Sequence, residues 1–319
     1  MTRPRKASKI QTTSTVPVFQ KRWLWPTYWP VWALIGLMWS LARLPWRWQM
    51  GFGNALGLLT YYVARDRRQV ARRNLQQAFP ELSDGERESL VKAVFRDNAK
   101  AIPETCVAWL GRPKRLNVTW DVRGEQQGLE AIAAGNGALF VAAHFACVDL
   151  CGAYMGNHVS ADALHRPHNN ALMNYFQTRG RLRFVNTLVD RRDMRTMVRR
   201  LRQGRGIFYA PDQDLGKKRS VFVPFFGTQA ATVTATSKLA SLTGAAVFLF
   251  LTRRTKTGYE IVIEPAPELA TGDLEQDLTA YNQWLEARIR ETPSQYLWLH
   301  KRFKTRPPGE PRFYGVKGK

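Results

Sequence analysis

The sequence predicts an α/β fold, a mainly parallel sheet with helices covering its faces. Two observations lead there. Short strand-like runs at 138–143, 183–186, 206–210, 245–251 and 259–263 alternate with helix-like stretches at 126–134, 170–180, 194–203, 232–243 and 274–290, the pattern of strands joined by crossover helices. Polar side chains also stand just past the ends of two of those strands, His144 after 138–143 and Asp212 after 206–210. In such folds chemistry gathers at the carboxyl ends of the strands. At 319 residues the chain can bury a full core, which favours one large domain plus an appendage over two equal halves.

Residues 1–20 read as a basic, flexible tail. Residues 23–42 then carry no formal charge over 20 positions, the length of a bilayer crossing. Trp23, Trp25, Tyr28, Trp29 and Trp32 crowd the start of this stretch, and Lys21, Arg22, Arg43 and Arg47 bracket it, as interfacial aromatics and snorkelling cations do. Pro26 and Pro30 leave only residues 31–42 as uninterrupted helix. Residues 21–50 are therefore expected as either a tilted membrane anchor or a helix lying in the interface. No small-residue cleavage site follows, which argues against a cleavable signal peptide. Residues 51–64 are again apolar and turn basic at Arg65, Arg67, Arg68, Arg72 and Arg73, suiting a helix whose basic end sits among phosphates. Ser83 with Glu86 three positions later makes a capping box. The helix it starts is expected to reach about residue 101, with a break at Pro103.

Forty-eight Lys and Arg against 25 Asp and Glu give a formal net charge of +23. That excess predicts anionic partners, whether nucleic acid, phospholipid, a phosphorylated substrate or an acidic protein. Residues 179–219 alone hold 13 basic and 4 acidic residues, and Arg166, Arg191, Arg192 and Arg219 surround the expected site edge, as a pocket for a multiply anionic substrate requires. Few stacking aromatics accompany these charges, which weighs against a nucleic-acid binder. The three cysteines, Cys106, Cys147 and Cys151, form no disulfide framework and read as small core hydrophobes.

The most informative segment runs from Val141 to Asp149. An apolar run delivers His144 to its end, and a carboxylate follows five positions on. An imidazole so placed can take a proton, with an acid nearby to set its tautomer and stabilise its charge. A core histidine bonded to a backbone carbonyl is the competing reading. The chain has no GxSxG elbow, P-loop or HExxH motif. His165 and His168 flank an Arg-Pro turn that gives no helical metal-ligand geometry, so no metal and no cofactor are expected.

Several ordered blocks resemble the bacterial late acyltransferases of lipid A biosynthesis: RRNLQQAFPELSDGER (72–87), His144 to Asp149, HRPHNNALMNYFQTRGRLR (165–183), LVDRRDMRTMVRRLRQG (188–204), YAPDQDLGKKRSVFVPFFG (209–227) and QYLWLHKRFKTRPPGEP (295–311). The resemblance covers about residues 29–314. It implies an αβα glycerophosphate-acyltransferase-like domain over 51–319, with the N-terminal segment membrane-associated. It further implies acyl transfer from acyl carrier protein, an acidic donor, to a hydroxyl of a phosphorylated Kdo-bearing lipid A precursor, with no nucleic acid involved. His144 would be the general base and Asp149, where many members carry Glu, would orient it. Arg166 would bind a phosphate or support the oxyanion, and Asp190 with Arg191 would support the pocket rim. Asp212 would fix Arg or His positions or receive a substrate hydroxyl, and Arg219 would border the acceptor site. The implied location is the bacterial inner membrane, with the catalytic domain on the cytoplasmic side. A glycerolipid acyltransferase of lysophosphatidate type is the alternative, using the same pair on a different acceptor.

Overall fold

The computed structural model describes residues 11–315. Four helices come first: α1 (Trp29–Leu41), α2 (Trp46–Val63), α3 (Arg65–Ala78) and α4 (Asp84–Leu110). Then follow β1 (Thr119–Arg123), α5 (Glu125–Ala133), β2 (Ala138–Ala142), α6 (Val148–Met155), β3 (Ala161–His165), α7 (Ala171–Arg181), β4 (Leu188–Asp190), α8 (Met194–Arg202) and β5 (Gly206–Tyr209). The chain continues through β6 (Ser220–Phe225), β7 (Thr228–Val233), α9 (Ala235–Thr243), β8 (Ala246–Arg254), β9 (Gly258–Pro265) and α10 (Leu274–Glu291).

Seven strands form one sheet in the order β1-β9-β8-β2-β5-β3-β4, parallel throughout except for the β8–β9 pair. β6 and β7 make a separate antiparallel hairpin. Its turn places Phe226 (φ 47°) and Gly227 (φ 70°) in the left-handed region, as a two-residue hairpin loop with the right twist demands. The mixed α/β architecture agrees with the expected fold class.

Strand alternation splits the core in two. Leu139, Val141 and Ala143 face helices α3, α8, α9 and α10, while Ala138, Phe140 and Ala142 face α6. The 27-residue α4 contributes Val91, Val94 and Phe95 to the first core and Val107 to the second. The capping box of Ser83 and Glu86 forms as expected, but α4 runs through Pro103 to Leu110. Pro103 is buried inside the helix, which continues despite the intrahelical hydrogen bond that its missing N–H gives up. α2 packs on α4 at Gly53 and Gly57. There an added Cβ would meet the backbone of Lys100 at 2.7 Å and of Arg96 at 2.4 Å, so these two glycines set how closely the helices approach.

Other local expectations shift. Residues 183–186 are a turn rather than a strand, and the strand on that edge is β4, only three residues long. β3 carries Asp162 and His165 within five residues, which hides its apolar signature. Of the expected tail, residues 1–10 lie outside the described residues. Residues 11–13 dock on the open edge: Thr13 bridges Leu188, the Gln11 N–H donates to Asp190 Oδ2 at 3.2 Å, and the Thr12 hydroxyl donates to Asp193 Oδ2 at 2.9 Å.

The inner-membrane topology expected for the N-terminal segment is overturned. Among the described residues no helix is long and apolar enough to cross a membrane. The uncharged stretch yields the 13-residue α1, which packs Val31, Trp32, Ile35 and Met38 with Leu172, Met173 and Trp109 of α7 and α4. Tryptophans suggestive of a bilayer belt partly serve protein packing: Trp23 is buried, and the Trp32 indole N–H donates to the Trp23 carbonyl at 2.8 Å.

A buried ion pair ties α4 to the sheet. Arg254 donates to both Glu104 oxygens at 2.7 and 2.8 Å, and the Tyr259 hydroxyl donates to the same carboxylate at 2.8 Å. Truncating one partner leaves the other charge uncompensated in the interior, so Glu104→Ala is expected to lower unfolding stability by about 3–5 kcal/mol, measured by urea denaturation.

Candidate active site

The carboxyl ends of β2, β5, β3 and β4 open on a cavity of about 940 Å3. β2, buried along its whole length, brings His144 to the mouth of this cavity. Beyond it the chain turns into α6. The C-terminal segment pins the turn, with Phe145 bridging Tyr296 and the Ala146 N–H donating to the Gln295 carbonyl at 2.8 Å. β5, the neighbour of β2, brings Asp212 beside the histidine. The His144 backbone N–H donates to Asp212 Oδ2 at 3.0 Å, and His144 Nδ1 lies 2.6 Å from Oδ1.

The electrostatics of this pair agree with its geometry. Burial disfavours a charged imidazole, but the charge and hydrogen bond of Asp212 outweigh it and hold the His144 pKa above its ordinary value. Burial likewise disfavours the Asp212 carboxylate. The His144 charge, its ring and backbone hydrogen bonds and the nearby Arg302 guanidinium outweigh that and hold Asp212 below its ordinary value. With Asp212 ionised, Nδ1 carries the proton and donates, which leaves Nε2 free to accept one. The Asp212 side chain is 1% exposed and that of His144 33% exposed. The carboxylate is thus sealed inside while the imidazole reaches the cavity.

This corrects the expected partner of His144. Asp149, five residues on, stands in the first turn of α6 and accepts from Arg181 of α7 at 2.8 Å. Asp149 and Arg181 both line the cavity, and the Asp149 charge raises the His144 pKa less than Asp212 does. Asp212, for its part, is too buried to receive a substrate hydroxyl. Of its two expected uses, fixing a histidine is the one the geometry provides.

Arg166, Arg191 and Arg219 also line the cavity. Burial, with the Arg166 and Arg219 charges close by, lowers the Arg191 pKa. Among the described residues no carboxylate stands within ion-pair distance of these three guanidiniums. Asp190 does not line the cavity. It is buried and pairs with Arg192, not Arg191, accepting from its Nε at 2.9 Å and its Nη2 at 2.6 Å. Although burial opposes it, this pairing holds Asp190 down to about 2. Asp214 braces the loop after β5 through Thr305 and Gly216. The buried His165 contacts the Gln11 carbonyl at 3.2 Å, and His168 Nδ1 accepts from the Asn170 N–H at 3.0 Å. The three cysteines are buried, and burial pushes the Cys106 thiol up to about 12.

Sequence reasoning missed Arg181 and the shell around Asp212. Tyr281 and Tyr296 are buried, and the Asp212 charge adds to burial in raising both phenols. Arg302, 2% exposed, donates to the Ala231 carbonyl at 2.7 Å and to Thr232 Oγ1 at 3.0 Å. The block at 295–311 that carries Tyr296 and Arg302 was visible, but nothing in it pointed to a carboxylate more than eighty residues earlier.

Residues 16–305 match the sequence profile of the bacterial lipid A biosynthesis acyltransferases. The chain belongs to that family. It is 36% identical over 299 residues to the lipid A biosynthesis palmitoleoyltransferase of Escherichia coli (strain K12), covering 93% of this chain and 98% of that one. It is 36% identical over 306 residues to the lauroyltransferase of the same strain, covering 94% and 100%. With the myristoyltransferase the identity is 29% over 313 residues, covering 95% of each. As a member of this family the protein is an O-acyltransferase of lipid A biosynthesis, and the His144–Asp212 pair at the mouth of the cavity is chemistry such an enzyme can use.

Proposed function

We propose that the enzyme moves a fatty acyl chain from acyl carrier protein to a hydroxyl of a Kdo-bearing lipid A precursor, with His144 as general base and Asp212 as its orienting acid. His144 Nε2 takes the proton of the acceptor hydroxyl as its oxygen attacks the thioester carbonyl. The carbon–sulfur bond breaks, and the departing thiolate recovers the proton from the imidazolium. Asp212 stabilises the positive charge on His144 between those steps. The 2.6 Å contact of His144 Nδ1 with Asp212, at the end of a cavity rimmed by arginines, is the observation that carries this reading. It is tested by offering the purified enzyme acyl–acyl carrier protein with either a Kdo-lipid A precursor or a lysophosphatidate and weighing the products. Transfer to lysophosphatidate alone would overturn the assigned acceptor.

Arg166, Arg191 and Arg219 bind the acceptor's phosphate or carboxylate groups on this reading. Arg191→Ala should reduce kcat/KM by about 10- to 100-fold, mainly through KM, since a charge-assisted contact contributes about 1.5–3 kcal/mol. An unchanged KM for the acceptor would remove Arg191 from the binding site.

We also propose that α1 and α2 meet a lipid surface side-on. Trp29, Leu37 and Trp39 of α1 and Trp48, Leu59 and Tyr62 of α2 are exposed, and Arg43 stacks on Trp39 with its guanidinium carbon 3.4 Å from the ring centroid. An apolar, aromatic face beside cations suits the headgroup boundary. Co-sedimentation with anionic vesicles should fall when Trp29, Trp39 and Trp48 become serine, and unchanged binding would sink the idea.

A further inference from the structure

We propose that Gly152 sets the length of the acyl chain the enzyme accepts, by holding open an apolar slot beneath α6 that Phe184 closes. This inference rests on the acyl-transfer reading and adds a determinant of donor choice to it. The lining of the cavity is of two unlike kinds. One is the arginine rim. The other runs from His144 along the sheet face under α6, bordered by Ala142, Val148, Gly152, Ala163, Phe208 and Phe250. An alkyl chain belongs along the second, whose bordering side chains are apolar and whose nearest charges, Asp149 and Arg181, are paired with each other.

The repeat along α6 explains the shape of this lining. Val148 and Gly152 lie four apart and share one helix face with Gly156, the residue that ends the helix. At Gly156 an added Cβ would meet the Phe184 carbonyl oxygen at 2.0 Å and its Cβ at 2.5 Å, so the chain lies flush on Phe184 there. One turn earlier an added Cβ at Gly152 would meet nothing within 4 Å. Gly152 does not adopt the positive φ that would require glycine, and glycine inside a helix is less stable than alanine. Neither backbone conformation nor close packing accounts for it. What glycine provides at this position is room, on a wall that begins beside His144 and ends at Phe184.

The test is a series of saturated acyl–acyl carrier protein donors differing by two carbons, offered to the wild-type enzyme and to Gly152→Ala, Gly152→Leu and Phe184→Ala. Gly152→Leu should lose on the order of tenfold in kcat/KM for each two methylenes left without room, so that its loss relative to wild type grows with donor length. Gly152→Ala should shift the preference the same way by less, and Phe184→Ala should shift it toward longer chains. Thermal midpoints of the two Gly152 variants should equal or exceed wild type, because both new residues are better helix formers. The same fractional loss at every chain length, or no change in Gly152→Leu and Phe184→Ala, would overturn the inference while leaving acyl transfer intact. A wild-type enzyme that turns over no donor of any length would overturn the acyl-transfer reading and this inference with it.

Discussion

His144→Ala is expected to abolish acyl transfer for practical purposes, with a loss of about two to four orders of magnitude in kcat, the usual contribution of a positioned general base. Neither the nearest acid nor the neighbouring cysteines can replace it. Asp149 is engaged by Arg181, Cys147 and Cys151 are buried, and burial and its neighbour Cys147 push the Cys151 thiol well above its ordinary value. The variant should still fold. The His144 ring is partly exposed, and the backbone N–H that holds Asp212 remains after truncation. Loss of the ring contact to a buried carboxylate should cost about 3–5 kcal/mol of stability at most, since the backbone hydrogen bond to Asp212 remains. Single-turnover acyl transfer and urea denaturation on the same preparation separate the two effects. A folded variant that keeps most of its turnover would show that His144 is not the base.

The same residue is expected to set the pH dependence. A general base works as the neutral imidazole, and Asp212 raises the His144 pKa above its ordinary value. Activity should therefore decline as pH falls through that raised value, above the point where a free histidine would titrate. The kcat profile of the wild-type enzyme measures this directly. An acid limb at or below the ordinary histidine value would mean that the Asp212 contact is absent during turnover.

How much of this was legible in the sequence depends on how local each signal was. The strand that delivers His144 was plain, because every residue of β2 is buried and an uninterrupted apolar run marks a strand covered on both faces. Its partner was not plain. Asp149 is five residues away and Asp212 is 68, and only the sheet order, with β5 hydrogen-bonded to β2, puts the distant acid beside the imidazole. The near acid fell on the first turn of α6, where Arg181 of α7 takes it. The N-terminal stretch misled for a related reason. Hydropathy reports that a surface avoids water but not what covers it, and part of α1 is covered by α7. β4 was invisible because it is a three-residue edge strand, too short for alternation to register.

Asp212→Asn against Asp149→Asn is the comparison that decides between the partner the structure places on His144 and the one local spacing suggests. Asparagine at 212 keeps the shape but loses the charge. It no longer stabilises the imidazolium, and its amide can turn toward Nδ1 and favour the wrong tautomer. The expected loss in kcat is about two to four orders of magnitude, comparable with losing the base itself. The acid limb should move to lower pH, since the carboxylate that raised the His144 pKa is gone. Asp149→Asn should break the pair with Arg181 on the cavity wall, lower kcat less, and move the acid limb in the same direction by a smaller step, because the Asp149 charge contributes less to that pKa. The two pH profiles therefore carry more information than the two rates. If Asp149→Asn shifts the acid limb further than Asp212→Asn, then Asp149 swings to His144 once substrate displaces Arg181, and the orienting acid during turnover is the nearer one.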